Sequence, residues 1–241
     1  MYRGKRILGV VPARGGSKGL PHKNIRPLLK KPLLAWTLDA AKASNYLDRV
    51  IVSTDDHAIA NVVRKHGGEV PFMRPAELAQ DETSSIDVMV HAISWLKDQG
   101  DLFDYVIMLE PTSPLRETAD IDQALEQLIS HPQAKAIVSV TRLEGDHPEF
   151  HVVVDPASRC IRRPNGSSTF KILRRQDLDD MYFFEGTLYI SEVAAFMKRR
   201  TFYHELTLPY IVPRWKSPEI DELQDFITVE ALLKARMKGL L

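Results

Sequence analysis

Residues 7–24 read "ILGVVPARGGSKGLPHKN", and this stretch decides the fold. The run "ILGVV" predicts a buried strand, and a glycine-rich turn with Arg14 and Lys18 follows it at once. Open α/β sheets bind ligands at the carboxyl ends of their strands. Glycines let backbone N–H groups approach an anion, and the two cations can pair with it. The stretch therefore predicts a phosphate loop; the alternative is an ordinary turn with solvated lysines.

The loop has neither of the two common phosphate-binding spacings. A Walker A loop requires G-x-x-x-x-G-K-[ST], and a dinucleotide fingerprint requires G-x-G-x-x-G at the start of a helix. The sequence "RGGSKG" meets neither pattern. The anion that it binds therefore has to be inferred from the rest of the chain.

The length of 241 residues suits one α/β domain, and 44% hydrophobic with 27% charged residues is typical of a globular protein. No apolar run approaches the roughly 20 residues that cross a bilayer, and the N-terminus continues into "PARGG" without a small-residue cleavage site. We therefore expect a cytoplasmic protein. The single Cys160 excludes an intramolecular disulfide and a cysteine-rich zinc site.

The charges balance overall but are unevenly distributed. Lysine plus arginine and aspartate plus glutamate both number 32, so the net charge favours neither nucleic acid nor a membrane as a partner. Residues 1–38 contain nine basic residues and no acidic one, and residues 159–175 contain six basic residues and no acidic one. Two cationic segments in a neutral protein predict local anion sites.

Strand-like apolar runs alternate with amphipathic segments, which predicts an α/β fold with a mainly parallel sheet covered on both faces. The predicted strands are residues 7–11, 49–53, 105–109, 136–140 and 188–191, followed by "PYIVP". The predicted helices, with apolar residues three and four apart, are residues 32–43, 58–66, 85–96, 119–129 and about 222–238. Gly67 and Gly68 end the second helix as a C-cap pair would.

The alternation breaks at about residues 142–180. This segment contains several prolines, Gly166, the short β-like run "FHVVVD" and the second cationic segment. We interpret it as a small β-rich excursion from a single domain that spans residues 1–241.

Five motifs follow one another along nearly the whole chain: "ARGGSKGLPHKNIRPL", "VSTDD", "RPAELAQDETSSIDV", "LEPTSPLR" and "LYIS". In this order they resemble the N-acylneuraminate cytidylyltransferases, also called CMP-sialic acid synthetases. The resemblance implies transfer of CMP from CTP to the anomeric hydroxyl of a 3-deoxy-2-keto sugar acid, with release of pyrophosphate. It also implies a Rossmann-like nucleotidyltransferase fold of the nucleotide-diphospho-sugar transferase type, Mg²⁺ as cofactor, and a homodimer in which the 142–180 excursion reaches the neighbouring subunit.

The resemblance also assigns roles to residues. Those that bind the CTP phosphates and ribose are Arg14, Gly15, Ser17, Lys18, Lys23 and Asn24. Arg74 and Ser84 or Ser85 face the nucleotide, although a serine in "ETSSID" can instead, or as well, cap the helix that follows. Negative charge develops on the phosphoryl oxygens and the leaving pyrophosphate during the transfer. The catalytic candidates are therefore Arg14, Lys18, Lys23 and Asp221.

The motif "WKSPEIDELQDF" contains the predicted metal ligands. The sialate enzymes resemble it with a D-I-D pair whose carboxylates bind Mg²⁺, and this chain reads Glu219-Ile220-Asp221. Residues two apart on an extended segment point to the same side, so both carboxylates can reach one metal ion. The alternative is a pair of acids that favours the dipole of the next helix. No residue is an obvious general base; Mg²⁺-bound hydroxide or water and Asp221 itself both stay open.

The sugar side departs from the sialate pattern. Glu110 stands where those enzymes have Gln, and Phe183 and Glu185 stand where they have Arg and Asn. Phe183 cannot pair with a sugar carboxylate, so Arg174 and Arg175 of the excursion are the predicted substitutes, and Arg175 matches a family arginine that reaches the sugar acid. The predicted sugar-binding residues are Glu110, Thr112, Ser113, Arg175, Phe183 and Glu185.

Two added carboxylates suit an acceptor with extra hydrogen-bond donors, whether hydroxyls or an amine. We therefore expect a nonulosonate such as a legionaminate- or pseudaminate-like acid, or another 3-deoxy-ulosonate. Two rival functions stay open. One is nucleotide transfer to a Kdo-like acid or to a sugar or alcohol phosphate, and the other is a CTP-binding module without catalysis.

Overall fold

A computed structural model describes residues 1–144, 147–167, 170, 174, 176 and 178–241. The strands are β1 (Ile7–Pro12), β2 (Pro27–Leu28), β3 (Lys31–Pro32), β4 (Arg49–Ser53), β5 (Tyr105–Met108), β6 (Ala136–Arg142), β7 (Val153–Val154), β8 (Ile161–Arg162), β9 (Tyr182–Glu192) and β10 (Thr207–Ile211). The helices are α1 (Leu33–Lys42), α2 (His57–Lys65), α3 (Ser85–Asp98), α4 (Thr118–Ile129), α5 (Val193–Arg199) and α6 (Leu223–Met237).

The main sheet has the strand order β10-β6-β9-β5-β1-β4. β1 pairs in parallel with β4 and β5, and β10 pairs in parallel with β6. The predicted α/β fold with a mainly parallel sheet is therefore confirmed. Strand β1 lies inside the sheet and is buried along most of its length, which places the glycine-rich loop at a central carboxyl edge.

Strand β9 is the exception to the parallel arrangement. It runs antiparallel to both β5 and β6 and begins at Tyr182, six residues before the predicted start of this strand. The chain enters β9 from the 142–180 excursion and not through a crossover helix, and only such a crossover returns a chain in the parallel direction. Helix α5, which the sequence analysis missed, follows β9 directly.

The sequence places the helix starts through local capping. Asp56 accepts hydrogen bonds from the backbone N–H groups of Ala58 and Ile59, and so caps α2. Glu117 with Asp120 and Glu222 with Asp225 form capping boxes at α4 and α6. The left-handed Gly67 (φ 67°) ends α2, which confirms the predicted C-cap.

Two hydrophobic cores cover the two faces of the sheet, and a third cluster lies beside the glycine-rich loop. The third cluster joins the loop to the segments that carry "LEPTSPLR" and "EID", through the buried side chains of Leu20, Leu28, Leu33, Leu115, Ile220, Phe226, Val229 and Leu233. Burial of apolar area thus fixes three distant segments against each other.

The excursion contains a short antiparallel pair in its described part, with Val154 opposite Ile161. This agrees with the predicted β character, while its separation as an insert in one domain stays a prediction. Among the described residues, none of the helices has the length and apolar character that crossing a membrane requires.

Candidate active site

Backbone and side-chain hydrogen bonds shape the loop after β1. The N–H of Gly15 donates to Asp55 Oδ1 at 3.1 Å, and Asn24 Nδ2 donates to the carbonyl of Arg14 at 2.9 Å. A Cβ on Gly15 would lie 2.6 Å from Asp56 Oδ2, so no larger residue fits there. The "VSTDD" motif therefore supports the loop: one aspartate binds it and the next caps α2.

The loop forms one wall of a cleft made of two joined cavities. The first, the loop cavity, measures about 310 Å³ and is lined by Pro12, Arg14, Ser17, Lys18, Gly19, Lys23, Asn24, Glu110, Pro111, Thr112, Asp221 and Glu222. The second, the arginine cavity, measures about 250 Å³ and is lined by Pro12, Arg14, Arg74, Leu78, Gln80, Asp81, Thr83, Ser85, Val88 and Glu110. They share Pro12, Arg14 and Glu110, so the structure brings the predicted phosphate and nucleotide residues into one cleft, except Gly15 and Ser84.

Ser84 and Ser85 occupy different positions in the structure. Ser85 lines the arginine cavity, whereas the hydroxyl of Ser84 accepts the N–H of Ile86 at 3.1 Å and caps α3. The capping alternative thus describes Ser84. A ligand role for Ser85 stays a prediction.

Asp81 neutralises the loop cations in this structure. Its carboxylate lies 2.8 Å from Arg14 Nη1 and 2.5 Å from Lys18 Nζ. The hydrogen bond from Lys18, with help from Arg14, lowers the pKa of Asp81. The sequence analysis did not select Asp81, although it lies in the quoted "RPAELAQDETSSIDV". A polyphosphate would compete with this carboxylate for both cations.

Arg74 is buried and fixes the far wall of the cleft. Its Nε donates to Ser53 Oγ at 3.1 Å, and its Nη2 donates to the carbonyl of Ser53. Burial, and to a smaller extent the charge of Arg14, lowers the pKa of Arg74 to about 10, so the guanidinium keeps its charge at neutral pH. Arg74 therefore presents a fixed cation whose position is set by the end of β4.

Lys23 joins the loop to the acidic segment. Its Nζ lies 2.9 Å from the carbonyl of Ile220 and 3.0 Å from Asp221 Oδ1. The Lys23 side chain is 13% exposed and that of Asp221 is 76% exposed. The ammonium group is therefore largely enclosed by protein, while the carboxylate faces the cleft. The same segment touches Gly19, where a Cβ would lie 2.6 Å from the Asp221 carbonyl.

A second buried cation anchors the acidic segment from its other side. Lys216 Nζ lies 2.7 Å from both carboxylate oxygens of Asp120 and 2.5 Å from Glu117. These acids belong to the capping box of α4, so Lys216 ties the start of "KSPEID" to that helix. The sequence analysis missed this contact, since nothing local pairs residues almost 100 positions apart.

Asp221 is suited to a divalent cation. Its exposed carboxylate lines the loop cavity, and Mg²⁺ binds to proteins through one or two carboxylates together with substrate phosphates. No cluster of three or more His, Cys, Asp or Glu side chains suited to a metal occurs among the residues that the structure describes. Glu219 packs against the backbone of Gly186 and does not line the loop cavity.

Arg116, which the sequence analysis did not select, organises the sugar side. It is buried, and its guanidinium donates to the carbonyls of Glu110, Gly186 and Thr187 and to the hydroxyl of Thr37. Burial lowers its pKa to about 10, which leaves it protonated at neutral pH. The last residue of "LEPTSPLR" therefore connects the Glu110 loop to the middle of β9.

Three glutamates surround this arginine, and burial raises the pKa of each of them. The pKa values of Glu110 and Glu185 are raised, and that of Glu219 is raised to about 7, where the charges of Glu110 and Glu185 add to the effect of burial. Glu185 Oε2 accepts from Thr187 N at 3.2 Å and from Thr187 Oγ1 at 2.6 Å. Glu185 Oε1 is buried and has no hydrogen-bond partner in the described part of the chain.

The remaining predicted sugar residues are placed less uniformly. Thr112 lines the loop cavity, and its carbonyl accepts the N–H of Ile220 at 2.8 Å. Ser113 is buried, and its hydroxyl lacks a partner within the described ranges. Phe183 is exposed at the start of β9 and lines neither cavity. Arg175 lies outside the described residues.

The fold and the cleft define an α/β nucleotidyltransferase: a central parallel edge carries fixed cations, a glycine-rich loop and an exposed carboxylate around one cavity. The sequence profile "Cytidylyltransferase" matches residues 8–213, and the chain belongs to this family. It is a CTP-dependent nucleotidyltransferase.

Curated relatives support the same assignment. The chain is 32% identical to the CMP-N,N'-diacetyllegionaminic acid synthase of Legionella pneumophila, over 98% of this chain and 99% of that one. It is 30% identical to the pseudaminic acid cytidylyltransferase of Campylobacter jejuni (94% and 96%) and 32% identical to the N-acylneuraminate cytidylyltransferase of Escherichia coli (92% and 50%). The resemblance drawn from the five motifs is confirmed.

A solved structure shares the fold. A CMP:2-keto-3-deoxy-manno-octonic acid synthetase complexed with CTP superposes with a TM-score of 0.70 at 18% identity, covering 96% of this chain and 99% of that one. At this identity the likeness confirms the nucleotidyltransferase fold.

The contact between Gly19 and the acidic segment gives a first prediction. Gly19→Ala places a methyl group 2.6 Å from the Asp221 carbonyl, which is backbone, so the loop and the segment have to separate. We expect CTP affinity, measured by calorimetry, to fall about tenfold or more. Ile227→Ala, an exposed change on α6, is the control. Equal losses in both variants would contradict the prediction.

Glu185 gives a prediction on pH. An unfolded glutamate ionises near pH 4.5, whereas burial raises the pKa of the folded Glu185. The folded state therefore binds more protons above pH 4.5, and stability falls as pH rises through the folded pKa. Glu185→Gln removes this contribution, so the variant should gain stability relative to the wild type between pH 4 and pH 8. Urea unfolding at both pH values measures it, with Glu230→Gln, at a partly exposed position of α6, as control. A relative loss at pH 8 would refute it.

Proposed function

We propose that this protein transfers CMP from CTP to the anomeric hydroxyl of a nonulosonic acid and releases pyrophosphate. The observation that carries the proposal is the single cleft that Arg14, Lys18, Lys23 and the exposed carboxylate of Asp221 line, with Glu110 at the junction of the two cavities. The printed functions of the legionaminic, pseudaminic and neuraminic acid relatives support the class of acceptor.

The cations have separate tasks in this proposal. The triphosphate displaces Asp81 from Arg14 and Lys18, so the loop exchanges an internal carboxylate for the ligand. Lys23, fixed by the Ile220 carbonyl, stays near the phosphate oxygens where charge develops. Arg74 and Ser85 bind the nucleoside side of CTP in the arginine cavity, while Gly15 and Asn24 keep the loop in shape.

The reaction is an in-line substitution at the α-phosphorus of CTP. A bond forms between the anomeric oxygen and the α-phosphorus, the bond to the β-phosphate oxygen breaks, and pyrophosphate leaves. The products are the CMP-sugar acid and pyrophosphate, and the hydroxyl proton is released to the solvent. Thr112 and Ser113 lie on the acceptor side, between Glu110 and the acidic segment.

We propose Mg²⁺ as the cation that Asp221 binds together with the phosphate oxygens. When bound, it neutralises phosphate charge and orients the oxygens for the transfer. Glu219 as a second ligand stays a prediction that requires its carboxylate to leave Gly186. Because CTP is a cytoplasmic nucleotide, we propose that compartment for the reaction.

The test is pyrophosphate release with Mg²⁺ from CTP, ATP, GTP or UTP, against N-acetylneuraminate, diacetyllegionaminate, pseudaminate and Kdo. We expect release with CTP and a nonulosonate, and its loss in EDTA. Asp221→Asn should lower kcat/KM about 100-fold or more, because it removes the open carboxylate. Glu230→Gln, at a partly exposed position of α6 where the carboxylate pairs with Lys234, serves as control. Absence of pyrophosphate release with every acceptor, while CTP still binds, would overturn the proposal.

We propose further that the protein is a homodimer joined through the 142–180 excursion and the adjoining start of β9. Large exposed hydrophobic side chains concentrate here in the described chain: Phe150, Val152, Val153, Val154, Ile161, Phe170, Met181, Tyr182, Phe183 and Phe184. Patches of this kind mark interaction surfaces.

The surface is tested by the double variant Val154→Lys with Ile161→Glu. The two residues face each other across β7 and β8, so the new charges attract within the pair while the apolar surface is lost. Light scattering should show a dimer for the wild type and a monomer for the variant. Ile227→Lys, an exposed change on α6, should keep the dimer. A monomeric wild type would reject the proposal.

A further inference from the structure

Three glutamate side chains cluster around Arg116, and one of them lines the cleft. Glu110 lines both cavities, and it belongs to the loop that Arg116 binds. Glu219 packs against Gly186, where a Cβ would lie 2.7 Å from its Oε1. Glu185 precedes that glycine and is 2% exposed. The three side chains thus converge on one short stretch of β9.

Arg116 is the buried cation that acts on all three carboxyl groups in the described chain, and its hydrogen bonds are used elsewhere. The guanidinium of Arg116 donates to the backbone carbonyls of Glu110, Gly186 and Thr187 and to Thr37 Oγ1. Glu185 Oε1 is buried without a partner in the part of the chain that the structure describes. A buried carboxylate oxygen without a donor is costly, and a ligand that brings a donor and a positive charge removes that cost.

Aromatic rings form a wall near the carboxylates. The rings of Tyr189 and Tyr203 are 6.2 Å apart and nearly perpendicular, and Phe184 lies 4.5 Å from Tyr203. Glu110 and Glu219 lie within electrostatic reach of both tyrosine hydroxyls. Aromatic faces next to carboxylates favour cationic nitrogen groups.

Three groups of a sugar acid could donate a hydrogen bond to these glutamates: a hydroxyl, an acetamide or a protonated amine. They differ in the charge that they bring. A sugar acid is itself an anion, and any of the three carboxyl groups that is ionised repels it unless it also carries a positive group. A hydroxyl brings one donor and no charge, and an acetamide brings one N–H together with a carbonyl that the carboxylates repel. A protonated amine brings three donors and a full positive charge.

Resting on the proposed function, we infer that the acceptor is an amino sugar acid with a free, protonated amine that Glu110 binds, with Glu185 and Glu219 behind it. Glu110 is thus a specificity-determining residue. The carboxylate end of the acceptor lies away from these glutamates, toward the cationic loop.

The experiment compares matched acceptors by pyrophosphate release from CTP. The pairs are N-acetylneuraminate with its 9-amino-9-deoxy form, a diacetamido nonulosonate with its 7-amino form, and Kdo with its 8-amino-8-deoxy form. We expect the wild type to prefer the amine in at least one pair by about tenfold or more in kcat/KM. Glu110→Gln should reduce that preference at least about tenfold, and Glu185→Gln should reduce it less. Glu230→Gln should keep it.

The readout is a ratio within each pair, so a variant that alters CTP binding or overall stability changes both members alike. A preference for the neutral member in every pair overturns the inference and leaves the proposed function intact. So does an amine preference that is equal in the wild type and Glu110→Gln. Absence of turnover with all acceptors, while CTP binds, overturns the proposed function and the inference with it.

Discussion

The site depends on the bond between Lys23 and the segment that contains Ile220 and Asp221. The two partners are 198 residues apart, and the ammonium contacts both the Ile220 carbonyl and the Asp221 carboxylate. Ile220 is at the same time buried in the cluster beside the loop. One cation and one apolar side chain therefore hold the acidic segment against the phosphate loop, and Gly19 allows the backbones to touch. Without this contact Asp221 would not be fixed opposite the phosphate loop.

Two buried cations further from the cleft also join segments that are distant in sequence. Lys216 fixes the approach to the acidic segment through Asp120, and Arg116 fixes Glu110 and β9 through carbonyl oxygens. In both cases a long side chain replaces secondary-structure pairing as the connection between segments. Arg116 donates to backbone carbonyls and to the Thr37 hydroxyl, and Glu185 Oε1 has no donor among the described residues. The charge environment of Glu110, Glu185 and Glu219 thus depends on an arginine whose hydrogen bonds hold the backbone together.

The sequence predicted the strands and helices well where short-range patterns define them. The apolar periods located the sheet strands and all the helices except α5, and capping residues explain why their boundaries agree within a few residues. Strand β9 was foreseen only in its second half, because its first residues, "YFF", are exposed and its direction depends on the excursion before it. The phosphate loop, Arg74, Ser85 and Asp221 were foreseen as site residues and share one cleft. Asp81, Arg116 and Lys216 were missed.

The sequence by itself determined the family, the alternation of strands and helices, and the cationic loop, since these are set by neighbours along the chain. Only the tertiary structure decided which charges meet: Asp81 with Arg14 and Lys18, Lys23 with Asp221, and three glutamates around Arg116. It also directed Glu219 toward Gly186 and left Asp221 open to the cleft. The physical reason is that burial and charge pairing act between residues distant in sequence, and neither spacing nor composition encodes those distances.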